Sequence, residues 1–159
     1  MMRRYIEVPL QLLDIEGEGF HVMVEGSIHG KEAHFLIDTG ASRSVFDPKT
    51  ISTFIDDLTF EKKEGMTAGV GSSDLESATF RIDAFSLGDL EITDYEAVAL
   101  DLENIHEMYA KLGLPQIDGI IGGDLLKRYK AVINYKLKKM RLSFSKLRLS
   151  KTAQHPINQ

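Results

Sequence analysis

The sequence predicts a single, mainly β domain with short helices. Three observations carry that reading. Apolar residues recur at every second position, as in Phe20, Val22, Val24 and Ile28, the spacing of a strand with one buried face. Turn-forming pairs such as His29-Gly30 and Gly88-Asp89 separate the apolar stretches. Helical spacing appears only in short windows that end at glycine or proline. The 159 residues suit one domain, and a hydrophobic content of 43% is enough for a core.

Residues 1–19 are read as an N-terminal strand or arm, 20–149 as the body of the domain and 150–159 as a disordered tail. The strand from Phe20 turns at His29-Gly30 into a second strand, Ala33 to Ile37, which delivers Asp38 at its end. Asp47-Pro48 ahead of Ile51, Phe54, Ile55 and Leu58 predicts a helix with Asp47 as cap and Pro48 in its first position. Residues 59–100 read as strand and turn. They contain a glycine-rich tip over 65–74, a strand from Ala78 to Phe85 and another from Tyr95 to Leu100.

Ile105, Met108, Tyr109 and Leu112 share one helical face turned to the core, with Gly113 and Pro115 as stop signals. A short strand around Ile120 runs into a helix reaching about Lys130. Ala131–Tyr135 and Lys139–Ser145 make a hairpin with Met140, Leu142 and Phe144 on one face. Leu147 and Leu149 have the opposite parity, so that strand ends or bulges near Ser145-Lys146.

Composition excludes several chemistries. The absence of cysteine rules out disulfides, thiolate metal sites and a cysteine nucleophile. No stretch of about 18 apolar residues is present, and Glu7, Pro9 and Gln11 interrupt the N-terminal segment, so neither a membrane span nor a signal peptide is expected. The expected location is cytoplasmic. The net charge of −5 is uneven. Ten of the 19 basic residues follow Asp124, the last acidic one, leaving 9 basic against 24 acidic residues before it, a balance of −15. Without aromatic interleaving, the basic segment is read as the solvent face of strands and not as a nucleic-acid surface.

The run Phe35-Leu36-Ile37-Asp38-Thr39-Gly40-Ala41-Ser42 holds the candidate chemistry. It sets a carboxylate at the end of a hydrophobic strand and before a glycine turn. A glycine-rich hairpin tip follows about 30 residues later, and Ile120-Ile121-Gly122 about 84 residues after Asp38, ahead of Leu125-Leu126.

These paired motifs resemble those of the retropepsin-like aspartic proteases, and most closely the small cellular and bacterial forms with one DTGAS run and a D-G-I-I-G-x-D-L-L segment. The resemblance spans about Phe20 to Phe144. It implies a closed β-barrel with short helices and an active site at a homodimer interface, acting on peptide or protein substrates without a metal or cofactor. Asp38, Thr39 and Gly40 would be the catalytic motif, Thr39 bracing the two loops and Gly40 allowing a tight turn. Ala41, Ser42, Gly69, Val70 and Gly71 would meet substrate, the last three as a flap tip. Ile120, Ile121 and Gly122 would support the site from beneath.

Two carboxylates a few ångströms apart do not both ionise readily and share one proton. The ionised one takes a proton from water, and the protonated one donates to the developing oxyanion. One motif per chain means that only a two-fold dimer supplies the pair. Ala41 replaces the hydroxyl residue common in pepsin-like sites, which predicts an optimum less acidic than pepsin's. The chain departs from the viral pattern in having Ser42 and Gly123 where an acid and an arginine form an ion pair, so that brace is expected to be missing. Residues 101–116 read as an insertion. The alternative to an enzyme is a non-catalytic peptide-binding or dimerisation module, against which the intact DTGAS run counts.

Other signals have plainer readings. Gly69-Val70-Gly71 lacks the third glycine and following helix of a dinucleotide site. His21, His29 and His34 are read as scattered surface histidines that do not complete a zinc set. Asp118 is read as ordering the turn into the Ile120 strand, and Asp124 as capping the helix after it.

Overall fold

A computed structural model describes residues 4–62 and 78–145. In chain order its elements are β1 (Arg4–Pro9), β2 (Gln11–Asp14), β3 (Phe20–Ile28), β4 (Lys31–Ile37), β5 (Val45–Phe46), α1 (Pro48–Ile51), β6 (Glu61–Lys62), β7 (Ala78–Leu87), β8 (Leu90–Ala99), α2 (Glu103–Lys111), β9 (Gly119–Ile121), α3 (Gly123–Arg128), β10 (Val132–Asn134) and β11 (Lys139–Phe144). The glycine-rich tip over 65–74, with Gly69, Val70 and Gly71, lies outside the described residues, as do Leu147, Leu149 and the segment 150–159.

Six strands close a barrel. β3 pairs with β4, β4 with β9, β9 with β5, β5 with β8 and β8 with β7, and β7 returns to β3 through Gly26↔Leu87, Ser27↔Ser86 and Ile28↔Phe85. The seam depends on Gly26, since a Cβ there would stand 1.8 Å from Ser86 O. Inside, Phe35, Phe46, Phe85 and Tyr95 meet edge-on or tilted with centroids 5.5–6.2 Å apart.

A second apolar cluster lies outside the barrel wall. Met23, Leu36 and Ile120 point away from the main core and are covered by Tyr109 of α2, Leu102 and Ile117. This explains why β3 is not simply alternating: Val22 and Val24 fill the barrel while Met23 fills the outer layer. Phe20, expected on the buried face, is 61% exposed because it stands at the strand's open end. α2 stops where expected, at Gly113 with φ +65°, and Leu114 N–H donates to Tyr109 O at 2.9 Å.

A separate three-stranded sheet, in the order β1-β11-β10, joins the two ends of the chain. Lys139 and Arg141 of its middle strand reach Glu7 of β1 at 3.1 and 3.5 Å. Part of the basic segment therefore faces an acid of the same chain.

Some boundaries differ from the sequence expectation. α1 ends at Ile51, short of Phe54, Ile55 and Leu58, because Ser52 and Thr53 hydroxyls bond back to Lys49 O and Thr50 O, the carbonyls a longer helix would use. α3 ends at Arg128, short of Lys130, whose φ of +48° is left-handed. β8 begins at Leu90, five residues before Tyr95, because the Gly88-Asp89 turn lets it pair with β7 at once.

Candidate active site

β9 is threaded between β4 and β5. It runs parallel to β4 with Leu36↔Ile120 and Ile37↔Ile121, and antiparallel to β5 with Val45↔Ile120. The loop 38–44 must therefore pass over the end of β9. Asp38 N–H continues the ladder to Ile121 O at 3.0 Å, and Gly123 N–H donates to Ala41 O at 2.7 Å. Gly122 makes the crossing possible: a Cβ there would meet Ala41 O and Arg43 O at 2.7 Å each.

Asp38, Thr39, Gly40 and Ser42 are exposed and Ala41 is half-buried. Gly40 N–H donates to Asp38 Oδ1 at 2.9 Å. Gly40 has no left-handed φ, so its bare Cα serves to clear this carboxylate, 3.3 Å from where a Cβ would be, and not to make the turn. A groove of about 230 Å³ beside Asp38 is lined by Phe20, His21, Val22, Leu36, Ile37 and Tyr135.

Asp124 does not cap α3. Gly122 occupies the cap position and Asp124 lies inside the first turn, with its side chain turned to the 38–44 loop. Asp124 Oδ1 accepts from Ser44 N–H at 2.8 Å and Ser44 Oγ at 2.7 Å, and Oδ2 accepts from Tyr95 OH at 2.5 Å. Arg43 Nε is 3.9 Å from Oδ2, and Ser44 Oγ in turn accepts from Gly122 N–H at 2.9 Å. The loop and α3 are thus braced after all, with the acid on the helix and its partners on the loop. Burial works against the Asp124 charge, but the hydrogen bonds from Tyr95 and Ser44 outweigh it and hold the carboxyl below the usual range. Burial, then the Asp124 hydrogen bond, pushes the Tyr95 hydroxyl well up.

Asp118 orders the entry to β9 as expected: its Oδ2 accepts from His34 N–H at 2.8 Å, and its own N–H donates to His34 O at 2.8 Å. Its carboxyl is pushed up by burial. Asp47 caps α1 through the N–H groups of Lys49 and Thr50, and its other oxygen accepts from Leu102 N–H at 2.8 Å.

The histidines have separate roles. His34 lies 3.5 Å from Glu32, His29 sits in the β3–β4 turn with φ +47°, and His21 Nδ1 is 2.6 Å from Tyr109 OH. Among the described residues no three His, Cys, Asp or Glu side chains gather as metal ligands. Phe20, His21 and Tyr135 were not singled out from the sequence as neighbours of Asp38. One signal was available for His21. Counting back from the His29-Gly30 turn pairs Val22 with Ile37, and His21 and Asp38 are the next residues beyond that pair.

A closed barrel that carries Asp-Thr-Gly at a strand end, crossed by Ile-Ile-Gly from a strand threaded beside it, is the architecture of the retropepsin-like fold. The family model described as Aspartyl protease matches residues 24–125, and the chain belongs to that family. Its structure is similar to that of a retropepsin-like aspartic protease from Rickettsia conorii, with a TM-score of 0.52 and 16% identity over 90% of this chain and 92% of that one. At that identity the likeness is one of fold. The retroviral protease-like domain of Ddi1 from Leishmania major aligns with a TM-score of 0.48 and 20% identity over 73% of this chain and 82% of that one. The search of curated proteins found no match. Among the described residues, no helix is long and apolar enough to cross a membrane.

Proposed function

We propose that the chain is an aspartic endopeptidase whose working form is a homodimer. The carrying observation is that Asp38 stands exposed at a strand end, with Oδ1 held by Gly40 N–H at 2.9 Å and its backbone tied to Ile121. A carboxylate so rigidly presented and so open to solvent is half of a shared-proton pair. A second Asp38 across a two-fold axis supplies the other half. One carboxylate then takes a proton from a water molecule, the water attacks the scissile carbonyl, and the other carboxyl donates to the forming oxyanion.

Thr39, exposed beside Asp38, braces the two loops. Ile120, Ile121 and Gly122 set the height of the loop from below. Ala41 and Ser42, with the 69–71 tip, contact the peptide. The groove beside Asp38, lined by Phe20, His21, Val22, Leu36, Ile37 and Tyr135, receives part of the bound peptide.

The test is cleavage of a peptide library by the wild-type chain and by Asp38→Asn, with sedimentation to measure assembly. Asp38→Asn is expected to lose about 10³-fold or more in rate while still assembling. Adding excess Asp38→Asn to wild type is expected to lower wild-type activity by forming mixed dimers. Equal cleavage by both chains, or activity that tracks the monomer, refutes the reading.

A further inference from the structure

His21 and Tyr109 form a pair that the peptidase chemistry above leaves unused. Tyr109 is wholly buried in the outer apolar layer, on α2. Its hydroxyl lies 2.6 Å from His21 Nδ1, the partner that the described residues offer it. Burial pushes the phenol up to about 12, so it keeps its proton at any physiological pH. That proton requires an acceptor, and Nδ1 is the atom in reach. The reverse arrangement, with Nδ1–H donating to the phenol oxygen, leaves the phenol proton buried without an acceptor, which disfavours it by about tenfold.

The other end of the imidazole belongs to the groove. His21 is half-buried and lines the groove with Asp38 and Tyr135, its ionisable neighbours there. The β3–β4 register ends at Val22↔Ile37, so His21 and Asp38 are the next residue beyond it on each side, and both line the groove. An imidazole whose Nδ1 accepts a proton is left, when neutral, with its hydrogen on Nε2.

We propose that Tyr109 fixes the tautomer of the neutral His21 ring as Nε2–H, so that a residue of α2 sets a hydrogen-bond donor in the groove for a backbone carbonyl of the bound peptide. The second half rests on the peptidase reading, and the first does not. The pair also gives α2 a task in the site: through Tyr109 it reaches a groove it does not itself line.

Two readouts on the full chain separate the halves. Nitrogen-15 correlation spectra of the His21 ring at mildly alkaline pH are expected to show Nε2–H in the wild type. In Tyr109→Phe, which keeps the ring and its packing, an Nδ1–H form is expected to appear beside it. An Nδ1–H wild type, or an unchanged tautomer ratio in the variant, overturns the lock.

For the second half, peptide cleavage is measured for His21→Leu and for His21→Gln, which restores a donor. KM is expected to rise about tenfold in the first and to recover in the second, with kcat changing much less. Equal KM values in all three chains overturn the donor role. Absence of cleavage by the wild type overturns the peptidase reading and the groove role together, and leaves the tautomer result standing.

Discussion

Replacing Gly122 by alanine tests how tightly the active loop is held. The φ of −109° and ψ of −168° at Gly122 are open to any residue, so the substitution carries no backbone strain. Its cost is steric. The new Cβ would stand 2.7 Å from Ala41 O, 2.7 Å from Arg43 O and 2.8 Å from Arg43 C, all backbone atoms that no side-chain rotation can move away. Ordinary contact begins near 3.4 Å, so the 41–43 segment must retreat by about 0.7 Å. That retreat stretches the Gly123 N–H to Ala41 O bond, now 2.7 Å, and draws Ser44 away from Asp124.

Overpacking of this kind costs about 1–3 kcal/mol. For a chain of this size that is a Tm lower by about 2–12 °C. Gly123→Ala is the built-in control, since its Cβ would meet Ala41 O at 3.4 Å and Ser42 O at 3.7 Å, ordinary distances, in the first position of α3. Thermal unfolding followed by circular dichroism should show Gly122→Ala clearly lowered and Gly123→Ala within about 2 °C of wild type. Equal Tm values for the two variants would refute the crossing as drawn.

Three other outcomes follow from the same geometry. Asp124→Asn keeps the shape but cannot accept from both Ser44 and Tyr95, and should cost about 1–3 kcal/mol in urea unfolding at neutral pH. Because the Asp124 carboxyl sits below its ordinary range, its stabilisation is present above that range and lost as pH falls through the lowered value; the gap between wild type and variant should narrow in acid. Asp118 has the opposite sign: burial raises its carboxyl, so its contribution is present at low pH and lost as pH rises through the raised value. Asp118→Asn, which keeps an oxygen for His34 N–H, should therefore gain on wild type between acid and neutral pH, and a constant offset across that range would count against this. Finally, Ala41 offers no hydroxyl to Asp38, so the pH–rate profile should peak above about 3.5.

The parts of the fold that were legible in the sequence are those encoded by near neighbours. The β3–β4 hairpin follows from alternation and the His29-Gly30 turn, α1 begins where Asp47-Pro48 says it does, and α2 stops at Gly113. The Asp38 loop and the Ile120-Ile121-Gly122 segment beneath it were legible through the resemblance that their paired motifs carry. What stayed hidden depends on partners far apart in the chain. Asp124 looks like a helix cap until Ser44 and Tyr95, 80 and 29 residues away, are brought to it. Tyr109 reads as one more apolar residue of a helix stripe, because nothing local shows that His21, 88 residues earlier, receives its hydroxyl. Met23 is buried because a second apolar layer covers the barrel wall, and strand periodicity carries no sign of a second layer.

The sheet that joins the chain ends has a consequence during synthesis. β1 leaves the ribosome well ahead of its partner β11, with Arg4 paired to Phe144. Until β11 is made β1 is an unmatched edge, while all six barrel strands, β3, β4, β5, β7, β8 and β9, precede β11 in the chain. Such distant pairing is slow to form, since loop closure must precede any return from the contact. A nascent chain can therefore complete the barrel and the Asp38 loop with β9 before β11 arrives to fasten β1. Cutting the message short before residue 139 would release a protein whose first strand seeks a neighbour in other chains.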